Sequence, residues 1–298
     1  MNKAVLQALP SAAECAQRIA SRLGLNAHTI DLHRFPDGEL RVTVGPAADT
    51  TIIHASLDQP NEKLLAILFA AEALRCAGVR RLVLVAPYLC YMRQDSAFHK
   101  GEAISQKVVG QLLARNFDRI ITVDAHLHRT RDIRDIFPGS EAEDLSATPA
   151  IADFLRTSGF DPHTVVVGPD EESRPWVSDL AGRLSLKHVV ACKMRRGDRS
   201  VAVTFADAGL ILKRPMLLVD DIVSSGSTLT ACAKALAAAG ATTVDAIVVH
   251  ALFAPELMDE ILRAGIRSVR STDSVPHGTN AIALDNILAD ALREEIGL

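Results

Sequence analysis

The sequence predicts an α/β protein made of two related domains, one in each half, each built on a parallel sheet. Three observations carry this. Apolar β-type runs alternate along the 298 residues with longer helical patterns. The runs are apolar on consecutive residues, as expected for parallel strands covered on both faces. The outline strand, loop, helix, glycine, strand occurs once in each half.

In chain order, the predicted strands are Thr51–His54, Arg81–Ala86, Arg119–Val123, Thr164–Val167, Met216–Val219 and Val244–His250. Asn61 is a suitable N-cap for a helix over Glu62–Ala77, and Gly78 fits its C′ position. Thr228–Ala239 is an alanine-rich helix that ends at Gly240. Gly78 and Gly240 match in the two copies of the outline, although any two βαβ units share some likeness. Only the second copy holds two aspartates and a Ser/Gly-rich loop. PGSEAEDLS interrupts the apolar pattern near Gly139–Ser146, which sets the expected domains at 1–145 and 146–298. Residues 286–298 read as a last helix that could pack back on the N-terminal domain.

The formal net charge of −4 argues against a nucleic-acid partner, where a basic excess is expected. The longest apolar runs are too short to span a bilayer, and the first twenty residues lack the apolar core of a secretory signal. A cytoplasmic protein with no membrane partner is expected. The five cysteines form no CxxC pair and read as small hydrophobes rather than disulfides or metal ligands.

The most informative stretch is MLLVDDIVSSGSTLTACAKAL. A buried strand ends at Asp220 and Asp221, and Ser224, Ser225, Gly226, Ser227 and Thr228 open a helix. Parallel sheets bind ligands at the carboxyl ends of their strands, and a helix N-terminus offers free N–H groups and a dipole suited to phosphate. Gly226 lets the backbone approach, and the hydroxyls add donors. The two aspartates suit sugar hydroxyls as acceptors. A lone SSGST would be only a capped helix. In this combination it resembles the ribose-phosphate loop shared by phosphoribosyltransferases and ribose-phosphate pyrophosphokinases, many of which have an acid at the place of Ser224 and threonine at that of Ser225.

Further motifs separate these two families. HRFPDGELRV, residues 33–42, resembles the pyrophosphokinase motif around an adenine-binding phenylalanine. The resemblance assigns Phe35, Asp37, Gly38 and Glu39 to ATP, although PDG alone is a turn. Residues 86–113 resemble the rest of that ATP site, which assigns Arg93 to the polyphosphate, Gln94 to adenosine and Asp95 to ATP as well, with a helix beginning near Glu102. Lys100 stands where related sequences often have proline. ITVDAHLHR holds Asp124, His126 and His128, and VVVGPDEESRPW holds Asp170. Histidine with carboxylate could suggest Zn²⁺, but there is no nearby thiolate, and Mg²⁺ held largely by water and phosphate fits better. The resemblance assigns His126 and Asp170 to Mg²⁺; His128 alone reads as a structural or surface histidine. ACKMRRGDRSVAV contains Lys193, Arg195, Arg196 and Arg199. Lys193 and Arg195 match the pair on the family's flexible catalytic loop, with Arg195 also serving ribose 5-phosphate.

The resemblance runs from about Arg34 to His277 and implies two phosphoribosyltransferase-type domains related by duplication. It implies transfer of diphosphate from ATP to the 1-hydroxyl of ribose 5-phosphate, in the cleft between the two domains, with Mg²⁺ as cofactor. It also implies a homo-oligomer with the ATP site near a subunit interface. The alternatives are a non-catalytic regulatory subunit on this scaffold and a phosphoribosyltransferase.

Overall fold

The computed structural model describes residues 4–127, 129–196 and 200–297, with the backbone alone at 193–196 and 200–202. The chain divides into two units: Met1–Leu145 with Ser274–Pro276 and Leu284–Leu298, and Ser146–Asp273 with His277–Ala283. Residues 284–298, counted with the C-terminal half in the sequence reading, therefore fall in the first unit.

The first unit contains β1 (Ala4–Ala8), α1 (Ala13–Leu23), β2 (Ala27–Thr29), β3 (Asp31–Arg34), β4 (Leu40–Thr43), β5 (Thr50–His54), α2 (Pro60–Cys76), β6 (Arg81–Val85), α3 (Ser105–Ala114), β7 (Arg119–Val123) and β8 (Glu141–Leu145). Its six-stranded parallel sheet has the order β2-β1-β5-β6-β7-β8, and β3 and β4 form a separate antiparallel hairpin. The second unit contains α4 (Thr148–Ser158), β9 (Val165–Gly168), α5 (Arg174–Leu184), β10 (Lys187–Arg196), β11 (Ser200–Phe205), β12 (Pro215–Val223), α6 (Ser227–Ala238), β13 (Thr243–Ala251), α7 (Leu257–Arg263), β14 (Ile266–Thr272) and β15 (Asn280–Ile282). Its sheet has the order β11-β10-β9-β12-β13-β14-β15. Without β11, which is antiparallel to β10, the two orders are the same. The predicted duplication is thus visible in topology.

The apolar runs explain the layers. Leu82–Val85 in β6 and Val165–Val167 in β9 are fully excluded from water. Each such side chain contributes about 1.5–3 kcal/mol of burial, and helices cover both faces of the sheets. The repeated outlines also end alike. After α2, Ala77 (φ −77°, ψ 1°) leads into Gly78 (φ 89°); after α6, Ala239 (φ −79°, ψ 0°) leads into Gly240 (φ 88°). A left-handed residue closes each helix, and glycine takes that conformation without the Cβ clash.

Several boundaries differ from the sequence reading. α2 begins at Pro60, whose fixed φ suits the first helical position. Asn61 therefore lies inside the helix, where its Oδ1 accepts the Tyr91 hydroxyl. PGSEAEDLS, read as an interruption, contains β8, an edge strand whose polar residues hid it. The expected last helix is two pieces, α8 (Asp285–Ala291) and a 3₁₀ turn at Arg293–Ile296. Arg22 of α1 donates to Asp285, and Arg81 and Arg119 converge on Glu295, whose side chain is 3% exposed. Burial pushes the Glu295 carboxyl up, but hydrogen bonds from Arg81 and Arg119 outweigh it and hold it below its ordinary value. None of the five cysteines forms a disulfide; three are buried and two, Cys76 and Cys192, are exposed.

Candidate active site

In the second unit, β12 is paired on one side with β9 and on the other with β13, so its carboxyl end opens at the middle of the sheet. Asp220 is 8% exposed there and accepts the Asp221 N–H at 3.1 Å; Asp221 accepts the Ile222 N–H at 2.7 Å. Burial, then the charges of Asp221 and of Asp170 beyond β9, push the Asp220 carboxyl well above its ordinary range. The three acids thus share one electrostatic environment. A cation or sugar hydroxyls would relieve their mutual repulsion.

The turn into α6 is shaped as its sequence suggests. Ser224 and Ser225 are exposed, and Gly226 is the N-cap with φ 69°. A Cβ at Gly226 would lie 2.9 Å from Leu257 Cδ2, so both the conformation and the space select glycine. The hydroxyls of Ser225 and Ser227 are 3.0 Å apart. Ser227 and Thr228 begin a twelve-residue helix, whose first N–H groups have no acceptor within the helix. Gly168 was overlooked in the sequence. A Cβ there would fall 1.9 Å from Ser173 Oγ, which donates to the Asp170 carbonyl, so the turn carrying Asp170 closes only over glycine. A glycine directly before Pro169-Asp170 at a strand end was the available signal.

Lys193 and Arg195 stand on β10, paired with Val203 and Val201 of β11. The resemblance implied a loop; the backbone instead continues as a two-stranded ribbon beyond the sheet. Arg199 and His128 lie outside the described residues.

In the first unit, residues 35–39 connect β3 to β4. The Phe35 N–H donates to the Glu39 carbonyl at 2.8 Å, Gly38 has φ 93°, and Asp37 accepts the Glu39 N–H at 3.1 Å. Phe35 is 37% exposed and meets His33 edge to face at 4.7 Å. The expected helix near Glu102 starts at Ser105. Glu102 belongs instead to the preceding turn, where it accepts the N–H groups of Phe98 and His99 at 2.8 and 3.0 Å. Arg93 is exposed, while Gln94 accepts the Ser105 hydroxyl and Asp95 binds Arg129. His126 is half-buried in the turn after β7. That turn opens with Asp124 at φ 40°, held by its N–H to the Leu145 carbonyl at 2.8 Å, and the Ala125 N–H donates to Asp144 at 2.9 Å. His126 belongs to the first unit and Asp170 to the second, and no cluster of three metal-ligating side chains occurs among the described residues. No helix among them is long and apolar enough to cross a membrane.

Residues 4–116 match the N-terminal domain of ribose phosphate pyrophosphokinase, and residues 147–279 match the phosphoribosyl transferase domain. The chain is 31% identical to ribose-phosphate pyrophosphokinase 2 of Archaeoglobus fulgidus, over 94% of this chain and 97% of that protein. It is 28% identical to the Methanopyrus kandleri ribose-phosphate pyrophosphokinase, over 98% and 100%. Its fold is that of the phosphoribosylpyrophosphate synthetase from Mycobacterium smegmatis, with a TM-score of 0.85, 23% identity and 98% coverage of both chains. With both matched domains in order and similarity running almost end to end, this chain belongs to the ribose-phosphate pyrophosphokinase family.

Proposed function

We propose that the chain transfers the terminal diphosphate of ATP to the 1-hydroxyl of ribose 5-phosphate, giving 5-phosphoribosyl 1-diphosphate and AMP. The observation that carries this is the presence, in one chain, of an N-terminal unit matching this family over residues 4–116 and the Asp220–Thr228 turn at the centre of the second sheet. A phosphoribosyltransferase needs the turn but not the ATP motifs.

In this reading Ser224–Thr228 and the start of α6 hold the 5-phosphate, and Asp220 and Asp221 accept hydrogen bonds from the ribose hydroxyls. Phe35 provides a flat apolar face for adenine, with Asp37, Gly38 and Glu39 around the nucleoside. Arg93 binds polyphosphate and Gln94 faces adenosine. The 1-hydroxyl oxygen attacks the β-phosphorus in line. The bond from that phosphorus to the bridging oxygen breaks, AMP leaves with the electron pair, and the hydroxyl proton passes to solvent. Lys193 and Arg195 offset the charge that grows on the transferring group, so catalysis rests on positioning and electrostatics. His126 and Asp170 are the side chains we assign to Mg²⁺, a hard cation that takes oxygen ligands and keeps several waters. Bound Mg²⁺ would supply charge neutralisation and a more acidic 1-hydroxyl. We place the protein in the cytoplasm as a homo-oligomer in which Phe35 serves an ATP site at a subunit interface.

The test is AMP release from ATP, ribose 5-phosphate and Mg²⁺. AMP formed only with the sugar phosphate, with equimolar phosphoribosyl diphosphate, supports the reading. Folded, ATP-binding protein that makes no AMP would replace it with a non-catalytic subunit.

A further inference from the structure

Arg93-Gln94-Asp95 reads in sequence as one ATP-binding string, but the third side chain is turned inward. The Asp95 side chain is 3% exposed, against 65% for its partner Arg129. One Asp95 oxygen accepts the Arg129 guanidinium at 2.6 Å and the other accepts the Arg129 backbone N–H at 3.2 Å. Arg129 Nη1 also donates to Ser96 Oγ at 3.0 Å. A second tie lies alongside. Thr130 Oγ1 donates to Gln106 Oε1 at 3.2 Å, the Gln106 N–H donates to the Gln94 carbonyl at 3.2 Å, and Gln106 Nε2 reaches the Met92 carbonyl at 3.4 Å. The circuit joins residues 92–96, the first turn of α3 and the turn that follows His126. A covered carboxylate engaged by both a guanidinium and a backbone N–H of one residue is an oriented, charge-assisted contact, although the guanidinium itself stays in water. The same carboxylate facing ATP would repel the polyphosphate.

We propose that Asp95 is a positioning residue and not an ATP contact: it locks the loop carrying Arg93 to the turn after His126, so that the two are held as one body. The proposal rests on the pyrophosphokinase reading of both residues. Its effect is preorganisation: Arg93 meets the polyphosphate in a fixed place, and a displacement of about 1 Å in such a group can cost on the order of a hundredfold in rate.

The test uses the full-length protein with Asp95→Ala, Asp95→Asn, Arg129→Ala and the Asp95→Ala/Arg129→Ala pair. Asp95→Ala should lower kcat on the order of a hundredfold and leave the ribose 5-phosphate KM at its wild-type value. Asp95→Asn keeps an acceptor for the Arg129 N–H and should recover part of the loss. The double variant should be no worse than Asp95→Ala, since both changes break one contact. Hydrogen–deuterium exchange gives a readout independent of catalysis: peptides spanning residues 129–134 should exchange faster in Asp95→Ala than in wild type. Wild-type turnover in Asp95→Ala, a rise in ATP KM alone, additive losses in the double variant, or unchanged exchange would each overturn the proposal. If Asp95→Ala does not fold, Asp95→Asn and Arg129→Ala carry the test, and wild-type turnover in both overturns it. A wild type that makes no AMP would remove the functional reading, while the exchange experiment would still report on the lock.

Discussion

The turn from β5 into α2 and the turn from β12 into α6 occupy the same place in two sheets of the same strand order. His54 pairs with Val85 in the first sheet as Val219 pairs with Ile247 in the second. Ala55 and Ser56 therefore stand where Asp220 and Asp221 stand. Ala55 and Leu57 are fully buried, and Pro60 takes the first helical position and removes one N–H. Gln59 holds the left-handed N-cap conformation that Gly226 holds in the other copy. The first turn is plugged by side chains; the second presents hydroxyls, a glycine and two acids. One scaffold thus carries a phosphate site or a packed corner according to a handful of residues, because the sheet and helix that frame the turn do not depend on them.

A second difference lies at the other side of each sheet. β2, the counterpart of β10, has three residues, whereas β10 has ten and continues into the ribbon with β11. The added length carries Lys193 and Arg195. Lys193→Ala is the harshest test of whether this extension holds the chemistry. Turnover should fall on the order of 10²–10³-fold, about 2.7–4 kcal/mol of transition-state stabilisation, with ribose 5-phosphate affinity by calorimetry nearly unchanged. Turnover within a few-fold of wild type would mean that the extension of β10 does not hold the chemistry.

His54 tests the packed copy. It is 2% exposed, and neither ring nitrogen has a hydrogen-bond partner among the described residues. Burial, and secondarily the Arg18 charge, lower its pKa to about 4. The folded state therefore holds the neutral ring, while the unfolded chain takes up a proton below about 6.5. Stability is complete above that pH and is lost as pH falls towards 4, by about 3 kcal/mol across the window. His54→Leu should flatten this dependence in denaturant titrations from pH 4 to pH 8. An unchanged slope would mean that His54 is not the group that titrates.

The framework was readable in sequence where burial is two-sided. Leu82–Val85 and Val165–Val167 announce themselves because neither face sees water. β1 (AVLQA) is as buried but carries alanine and glutamine, and β2 and β8 are edge strands with polar residues, so no apolar run marks them. The turn at Asp220–Thr228 was readable because every part of it is contiguous. The lock between Asp95 and Arg129 was not: the partners are 34 positions apart, and their distance depends on how β7 and α3 pack. The β10–β11 ribbon was hidden for another reason, since Lys193, Arg195 and Arg196 give it the composition of a solvated loop.

The finest test of the comparison exchanges the two N-caps. Gly226→Ala forces alanine into a left-handed conformation, costing roughly 1–2 kcal/mol, and sets its Cβ against Leu257. The ribose 5-phosphate KM should rise about tenfold, equivalent to about 1.4 kcal/mol, and Tm should fall. At the matching place Gln59 already bears the left-handed strain, with φ 49° and ψ 60°. Gln59→Gly relieves roughly 1–2 kcal/mol of it but adds roughly 0.5–1 kcal/mol of chain entropy to the unfolded state. The balance is roughly 0–1.5 kcal/mol in favour of the variant, so Tm should equal or slightly exceed that of wild type. Steady-state kinetics should not change, because Ala55, Leu57 and Pro60 leave no room there for an anion. A Gln59→Gly variant with an altered KM for either substrate would show that the plugged turn takes part in binding, and the two copies would then differ in degree rather than in kind.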